Sequence, residues 1–192
     1  MTLGGQSQWL LVELNAATTS LLMLAGVGKL YAPAQLGRAF AELFPKLVGR
    51  KSLTVAVRVL AAIELATGVG LVTYPTRLGA ASAVAVLGVG FVVFGVIGHR
   101  RGSAMSCGCF ARSDGRPLGG VNIVAGTVLV AVAVAEVSLA LPSSFGHRYT
   151  ASAVAAAALN ALLLTVWVHR RIAWAALRSP TGQIESVAGG LS

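Results

Sequence analysis

Five stretches of mostly apolar residues, Gln8–Gly28, Leu53–Tyr74, Leu78–Gly98, Gly120–Leu141 and Ala151–Val168, make up the greater part of this 192-residue chain. Each matches the roughly 20 helical residues needed to cross the hydrocarbon core of a bilayer. Inside that core no water is available to the backbone, so every N–H and C=O must be bonded within the segment, and a helix does this. The sequence therefore predicts an all-α, polytopic transmembrane bundle of about five spans. With 56% hydrophobic and 11% charged residues and a mean hydropathy of +0.79, an ordinary soluble domain is excluded. Aromatic residues make up only 6% of the chain while glycine reaches 23 residues, so the helices are expected to approach closely through small side chains.

The length allows one compact membrane domain, residues 1–175, followed by a small, polar, glycine-rich tail over 176–192 that is expected to be disordered. The first run reads as a span and not as a signal peptide, because it lacks a basic leader and a cleavage-like end and carries Glu13 and Asn15. "YPTR" after the second run predicts a tight turn and an antiparallel hairpin with the third. The long connection after the first run reads differently. Leu36, Phe40, Leu43 and Leu47 recur at helical spacing, with Arg38, Glu42 and Lys46 on the other side, which predicts an interfacial amphipathic helix ended or kinked by Pro45. In the fifth run Ala153, Ala157 and Ala161 form a small-residue face beside Asn160.

The net charge of +9 is not a nucleic-acid signal, since the basic residues flank apolar runs and no basic face with interleaved aromatics exists. They set topology and meet lipid headgroups instead. Twelve of the fifteen Lys and Arg residues fall on the side holding the amphipathic connection, the loop after the third span and the C-terminus. Only Arg77 and Arg148 fall on the other, and Arg58 lies within the second span. The positive-inside rule turns the richer side to the cytoplasm.

Ionisable residues within spans are costly and usually face the bundle interior. Counted from the basic-rich side, Arg58 and Asn122 are shallow, Glu64 is about midway, and Glu13 and Glu136 are deeper. These residues could form a polar track, with Glu64 the most central carboxylate and Arg58 one apolar turn from it.

Both cysteines of the chain, Cys107 and Cys109, lie in "AMSCGCFARSDGRP", the loop after the third span, with Gly108 between them. Two thiols at i and i+2 close a disulfide only across a tight backbone turn, which a residue without Cβ permits. A small strained ring suits exchange better than structural stapling. Arg100, Arg101 and Arg112 make the loop electropositive, which favours the reactive thiolate. No metal site is expected: His99 and His169 are within the same side's reach, but one-residue thiolate spacing departs from that of zinc sites.

The order of parts, "GVGKLYAPAQLGRAFAEL" closing the first span, "ELATG" (Glu64–Gly68) in the second, "CGCF" (Cys107–Phe110) and "LGGVN" opening the fourth, resembles the MauE/DoxX group of membrane proteins, and the MauE type most closely. The resemblance covers about residues 8–141, with Lys29 and Glu64 as supporting matches. It implies a role in disulfide formation outside the cytoplasm, during maturation of the methylamine dehydrogenase small subunit. The layout also resembles that of the vitamin K epoxide reductase family, whose helical bundles pass electrons between a cysteine pair and a quinone. The chain departs from that family in having C-x-C, not C-x-x-C, and no second cysteine pair, so relay thiols would belong to a partner. An extracytoplasmic thiol loop opposes the charge count, and both orientations stand at this point.

The reading that follows is a multi-pass protein of the cell membrane, surrounded by lipid. It is a thiol–disulfide redox protein or accessory subunit, acting through Cys107 and Cys109 on a thioredoxin-like or substrate protein. A quinone would be its electron acceptor, with Arg58 and Glu64 as polar contacts. The alternative is a non-catalytic membrane subunit or small-solute carrier.

Overall fold

The computed structural model describes residues 5–43, 50–102, 119–139 and 146–178, nearly all of them helical and with no strand. The elements are α1 (Gly5–Tyr31), α2 (Pro33–Leu43), α3 (Arg50–Val72), a 3₁₀ turn (Tyr74–Thr76), α4 (Arg77–Arg100), α5 (Gly120–Ser138) and α6 (Gly146–Arg178). The five α-helices other than α2 are long and apolar enough to cross a membrane. The chain is thus a multi-pass membrane protein whose outer surface meets lipid. Val55, Val59, Val86, Val93, Val124 and Leu162 are among the large apolar residues on that surface. Cys107, Cys109, Pro45, Leu47 and most of the expected tail lie outside the described residues.

Helix α1 is the central element, packing on α3, α5 and α6; 56% of its most apolar stretch is buried, against 11% for α6. Its contact with α3 uses Gly26, where a Cβ would lie 2.9 Å from Leu65 Cγ and 3.1 Å from the Ala61 carbonyl. Helices α4 and α5 approach still more closely. A Cβ at Gly126 would fall 2.5 Å from the carbonyl oxygen of Gly88, and one at Gly88 would fall 2.8 Å from that of Gly126. Glycine is needed there because the opposing group is backbone, which cannot swing aside.

Helix α3 ends where the turn begins, and its last carbonyls have no helical donor. Side chains supply them: Thr73 Oγ1 donates to Val69 O at 2.9 Å, Thr76 Oγ1 to Gly70 O at 2.9 Å, and Tyr149 Oη to Leu71 O at 2.7 Å. Helix α4 then starts at once, giving the hairpin expected from "YPTR".

The amphipathic helix exists as α2, with Arg38 and Glu42 exposed. Its apolar face packs on protein. Leu36 and Val57 are buried together under Phe40, Leu60, Phe91 and Phe94, and the Phe40 and Phe94 rings stand 4.7 Å apart. Helix α2 therefore closes one end of the bundle over α3 and α4. On α6, Ala153 is fully buried and Ala157 packs beside it, as the alanine face predicts. Ser20 Oγ reaches across from α1 to the Ala157 carbonyl at 2.8 Å.

Candidate functional site

Among the described residues, two buried ionic clusters and a cavity lie in the bundle interior. The first cluster joins α1 to α3. Lys29 Nζ donates to both carboxylate oxygens of Glu64 at 2.7 Å, with side-chain exposures of 1% and 0%. The helices are antiparallel, and in each the Cα–Cβ bond tilts towards its own N-terminus. From the end of α1 the Lys29 stem therefore leans into the bundle, while Glu64 leans up to meet it. Glu64 faces inward, as its central position in the span predicts. Phe91 lies beneath the ammonium, its centroid 5.7 Å from Nζ, within the range of a cation–π contact.

Arg58, placed on the same polar track, does not join Glu64 in the interior. Six residues advance an α-helix by about 600°, so the two side chains point roughly 120° apart. Arg58 is on the exposed face of α3. There the same backward tilt carries its guanidinium towards the headgroups.

The second cluster lies towards the other membrane face. Glu136 of α5 accepts from Arg77 Nη1 and, at 2.9 Å, from Asn15 Nδ2. Asn15 Nδ2 also donates to Tyr149 Oη at 2.7 Å, and the Tyr149 hydroxyl donates in turn to α3. The Arg77 guanidinium stands 5.0 Å from the Tyr74 ring and 5.9 Å from that of Tyr149. Five helices meet here, so this cluster reads as the knot that fixes their arrangement. Glu136 is interior as expected, whereas Glu13 is on the exposed face of α1. Glu13 is five residues into its span, about 7.5 Å, and its side chain leans back towards the interface.

Neither Arg77 nor Tyr149 stood out as a site residue. Arg77 counts in the sequence as a loop cation, yet it is one of only two on the sparse side, a signal that it had another task. Lys29 and Arg77 are both buried, so each side loses one flanking charge and the imbalance between sides persists.

The cavity, about 240 Å³, lies between α1, α4 and α5 and is lined by Thr18, Leu21, Leu22, Ala25, Phe91, Asn122, Ala125, Val128 and Leu129. Phe91 thus touches both the cavity and the Lys29–Glu64 pair. Asn122, expected on the polar track, is 4% exposed, and its Nδ2 has no hydrogen-bond partner among the described residues. The track is therefore discontinuous: Glu64 with Lys29, Asn122 at the cavity, and Glu136 in the separate knot, with Arg58 and Glu13 outside.

The linker bearing the cysteines leaves α4 and enters α5 at the end of the bundle that carries Lys29 and Asn122. A Cβ on Gly119 would be 3.4 Å from His99 Cβ, so the described ends of that linker are close together. Among the described residues no group of three or more His, Cys, Asp or Glu could hold a metal ion.

Comparison with curated proteins and with solved structures gives no match. The family model described as methylamine utilisation protein MauE matches residues 7–139. That span takes in α1 to α5, with Lys29, Glu64, Asn122, Arg77 and Glu136, and leaves out α6. Matched over more than two thirds of its length, this five-span membrane chain belongs to the MauE family.

Proposed function

We propose that this chain serves methylamine utilisation as a thiol–disulfide redox protein of the cell membrane, acting through Cys107 and Cys109. The observation that carries the reading is the cysteine usage: two thiols in the whole chain, one glycine apart, in the single linker between α4 and α5. A structural staple would not need so small a ring, and isolated packing cysteines would not share a loop. The intramembrane pair Lys29–Glu64 at the same end of the bundle supports it, since buried ionisable groups in spans mark proton or ligand handling more often than packing.

In the working direction a thiolate of the substrate protein attacks one sulfur of the Cys107–Cys109 disulfide. The S–S bond breaks, a mixed disulfide forms and the second cysteine leaves as thiolate. The substrate's other thiolate then displaces the first cysteine, so the substrate gains a disulfide and the chain holds two thiols. Their reoxidation releases two electrons and two protons. A quinone of the bilayer would supply an acceptor for both, and the apolar walls of the cavity suit a molecule of that class. Substrates that acquire disulfides outside the cytoplasm require the linker to face that side. The basic-rich surface then faces outward as well, an exception to the charge rule.

Cys107→Ser and Cys109→Ser variants test the reading on non-reducing gels. Loss of the resolving thiol should leave a mixed disulfide with a thioredoxin-like or substrate protein, released by reductant and identifiable by mass spectrometry. If neither variant traps a partner and the wild-type thiols stay reduced, the redox reading fails. The non-catalytic subunit or solute carrier then takes its place.

A further inference from the structure

We propose that α6 is a dimerisation helix: its second half packs in parallel on α6 of a second copy of this chain, with Asn160 hydrogen-bonded to the partner's Asn160. The contact is independent of the thiol chemistry.

One stripe of α6 carries the argument. Tyr149, Ala153, Ala156, Asn160, Leu163 and Trp167 follow one another at alternating spacings of four and three, the seam by which one helix packs along another. Its first half is committed to α1. Tyr149 and Ala153 are fully buried, Tyr149 Oη accepts from Asn15, and the neighbouring Ala157 carbonyl accepts from Ser20. Its second half has no such cover. Leu163 is 56% exposed and Trp167 53%, although Trp167, fourteen residues beyond Ala153, points within about 40° of it.

The opposing wall opens in the same way. Helix α1 runs parallel to α6, since Asn15 meets Tyr149 and Ser20 meets Ala157. Ser20 is 1% exposed, whereas Val27, seven residues on and facing almost the same way, is 42% exposed. The two helices therefore part towards the end of the bundle that carries the cysteine linker, and the seam of α6 is left facing the bilayer.

Asn160 stands where the seam opens. Along the helix it is about 18 Å from Arg148 and about 10 Å from Trp167, the two ends of the span, so its amide lies within the hydrocarbon. It is partly exposed, and among the described residues it forms no hydrogen bond. Acyl chains offer an amide neither donor nor acceptor, so lipid alone leaves it unsatisfied. A second copy satisfies it. Both copies insert with the same topology, so their α6 helices run parallel, and a two-fold axis along the membrane normal brings the same residue to the same depth. An amide is donor and acceptor at once, which allows two reciprocal Nδ2–H···Oδ1 bonds across the axis. A single Asn in such a seam also sets the register of two strands. Ala156 permits close approach on one side of it, and Leu163 and Trp167 supply apolar contact on the other. Helix α6 lies wholly outside the matched residues 7–139, so the contact is no part of the core shared with the family.

The test is single-molecule photobleaching of the full-length protein, with one fluorophore at its C-terminus, in phosphatidylcholine vesicles over a range of protein-to-lipid ratios. Two-step bleaching in saturable excess of random co-capture is expected. Asn160→Leu, which keeps the volume and removes both bonds, should raise the dissociation mole fraction about tenfold. Asn160→Gln keeps the amide and should retain most of the dimer, and Leu162→Ala on the far face of α6 should leave it unchanged. In a Cys107→Ser/Cys109→Ser background, Leu163→Cys should cross-link copy to copy on oxidation and Leu162→Cys should not. Monomers at every density overturn the proposal. A dimer that Asn160→Leu leaves intact, or that cross-links through position 162 and not 163, places the contact elsewhere and overturns it as well, and bleaching in three or more steps overturns the two-fold arrangement.

Discussion

Lys29→Met and Glu64→Leu, made singly and together, probe the ion pair at the head of the bundle. Each replacement keeps roughly the volume of the side chain and removes one charge. Both oxygens of Glu64 are 2.7 Å from Nζ, and exposures of 1% and 0% leave no route for water to reach either group. Removing one partner leaves the other charged, buried and alone, an effect of about 3–5 kcal/mol. Unfolded membrane helices find substitute polar partners, which places the expectation at the lower end. About 3 kcal/mol is a shift of roughly a hundredfold in the unfolding equilibrium, at about 1.4 kcal/mol per factor of ten. The double variant removes both charges and restores an apolar contact, so it should lie within about 1 kcal/mol of wild type. Reversible unfolding in mixed micelles with increasing SDS, followed by tryptophan fluorescence, measures all three and closes a double-mutant cycle. Single losses below about 1 kcal/mol, or a double loss equal to the sum of the singles, would refute the reasoning.

Gly126→Ala should lower thermal stability by about 1–3 kcal/mol, because its Cβ meets the Gly88 carbonyl and α4 must move off α5. Gly90→Ala, with nothing within 4 Å, should not, and equal melting curves for the two would contradict the close-packing account. Tyr149→Phe should cost about 1–3 kcal/mol, since the Leu71 carbonyl and Asn15 amide each lose a buried partner; an unchanged SDS midpoint would show that the knot does not depend on the hydroxyl. In intact cells a membrane-impermeant maleimide should label Cys107 and Cys109 only after treatment with an impermeant reductant. Labelling that requires permeabilisation would turn the linker to the cytoplasm.

The five spans and the α3–α4 hairpin were legible in the sequence because their causes are local. An apolar run of sufficient length has to become a helix in a bilayer, and "YPTR" cannot continue one. The α2 stripe was equally readable as a helix, since Leu36 and Phe40 repeat at its period. What covers that stripe was not readable. Phe91 and Phe94 meet it from a helix some fifty residues further on, and no periodicity within α2 encodes them.

Pairing of charges lay beyond the sequence for a related reason. Arg58 and Glu64 are close along the chain, yet helical geometry turns them apart, while Lys29 reaches Glu64 only because α1 and α3 run antiparallel at the spacing Gly26 permits. Glu13 and Glu136 look alike in their runs; helix rotation sends one to the lipid face and the other to Arg77. The sequence by itself determined how many helices cross, where they turn and which residue types were available to the interior. The tertiary structure decided which of them meet, because the rotation of each helix about its axis is set by the fit of small and large side chains across all its neighbours at once.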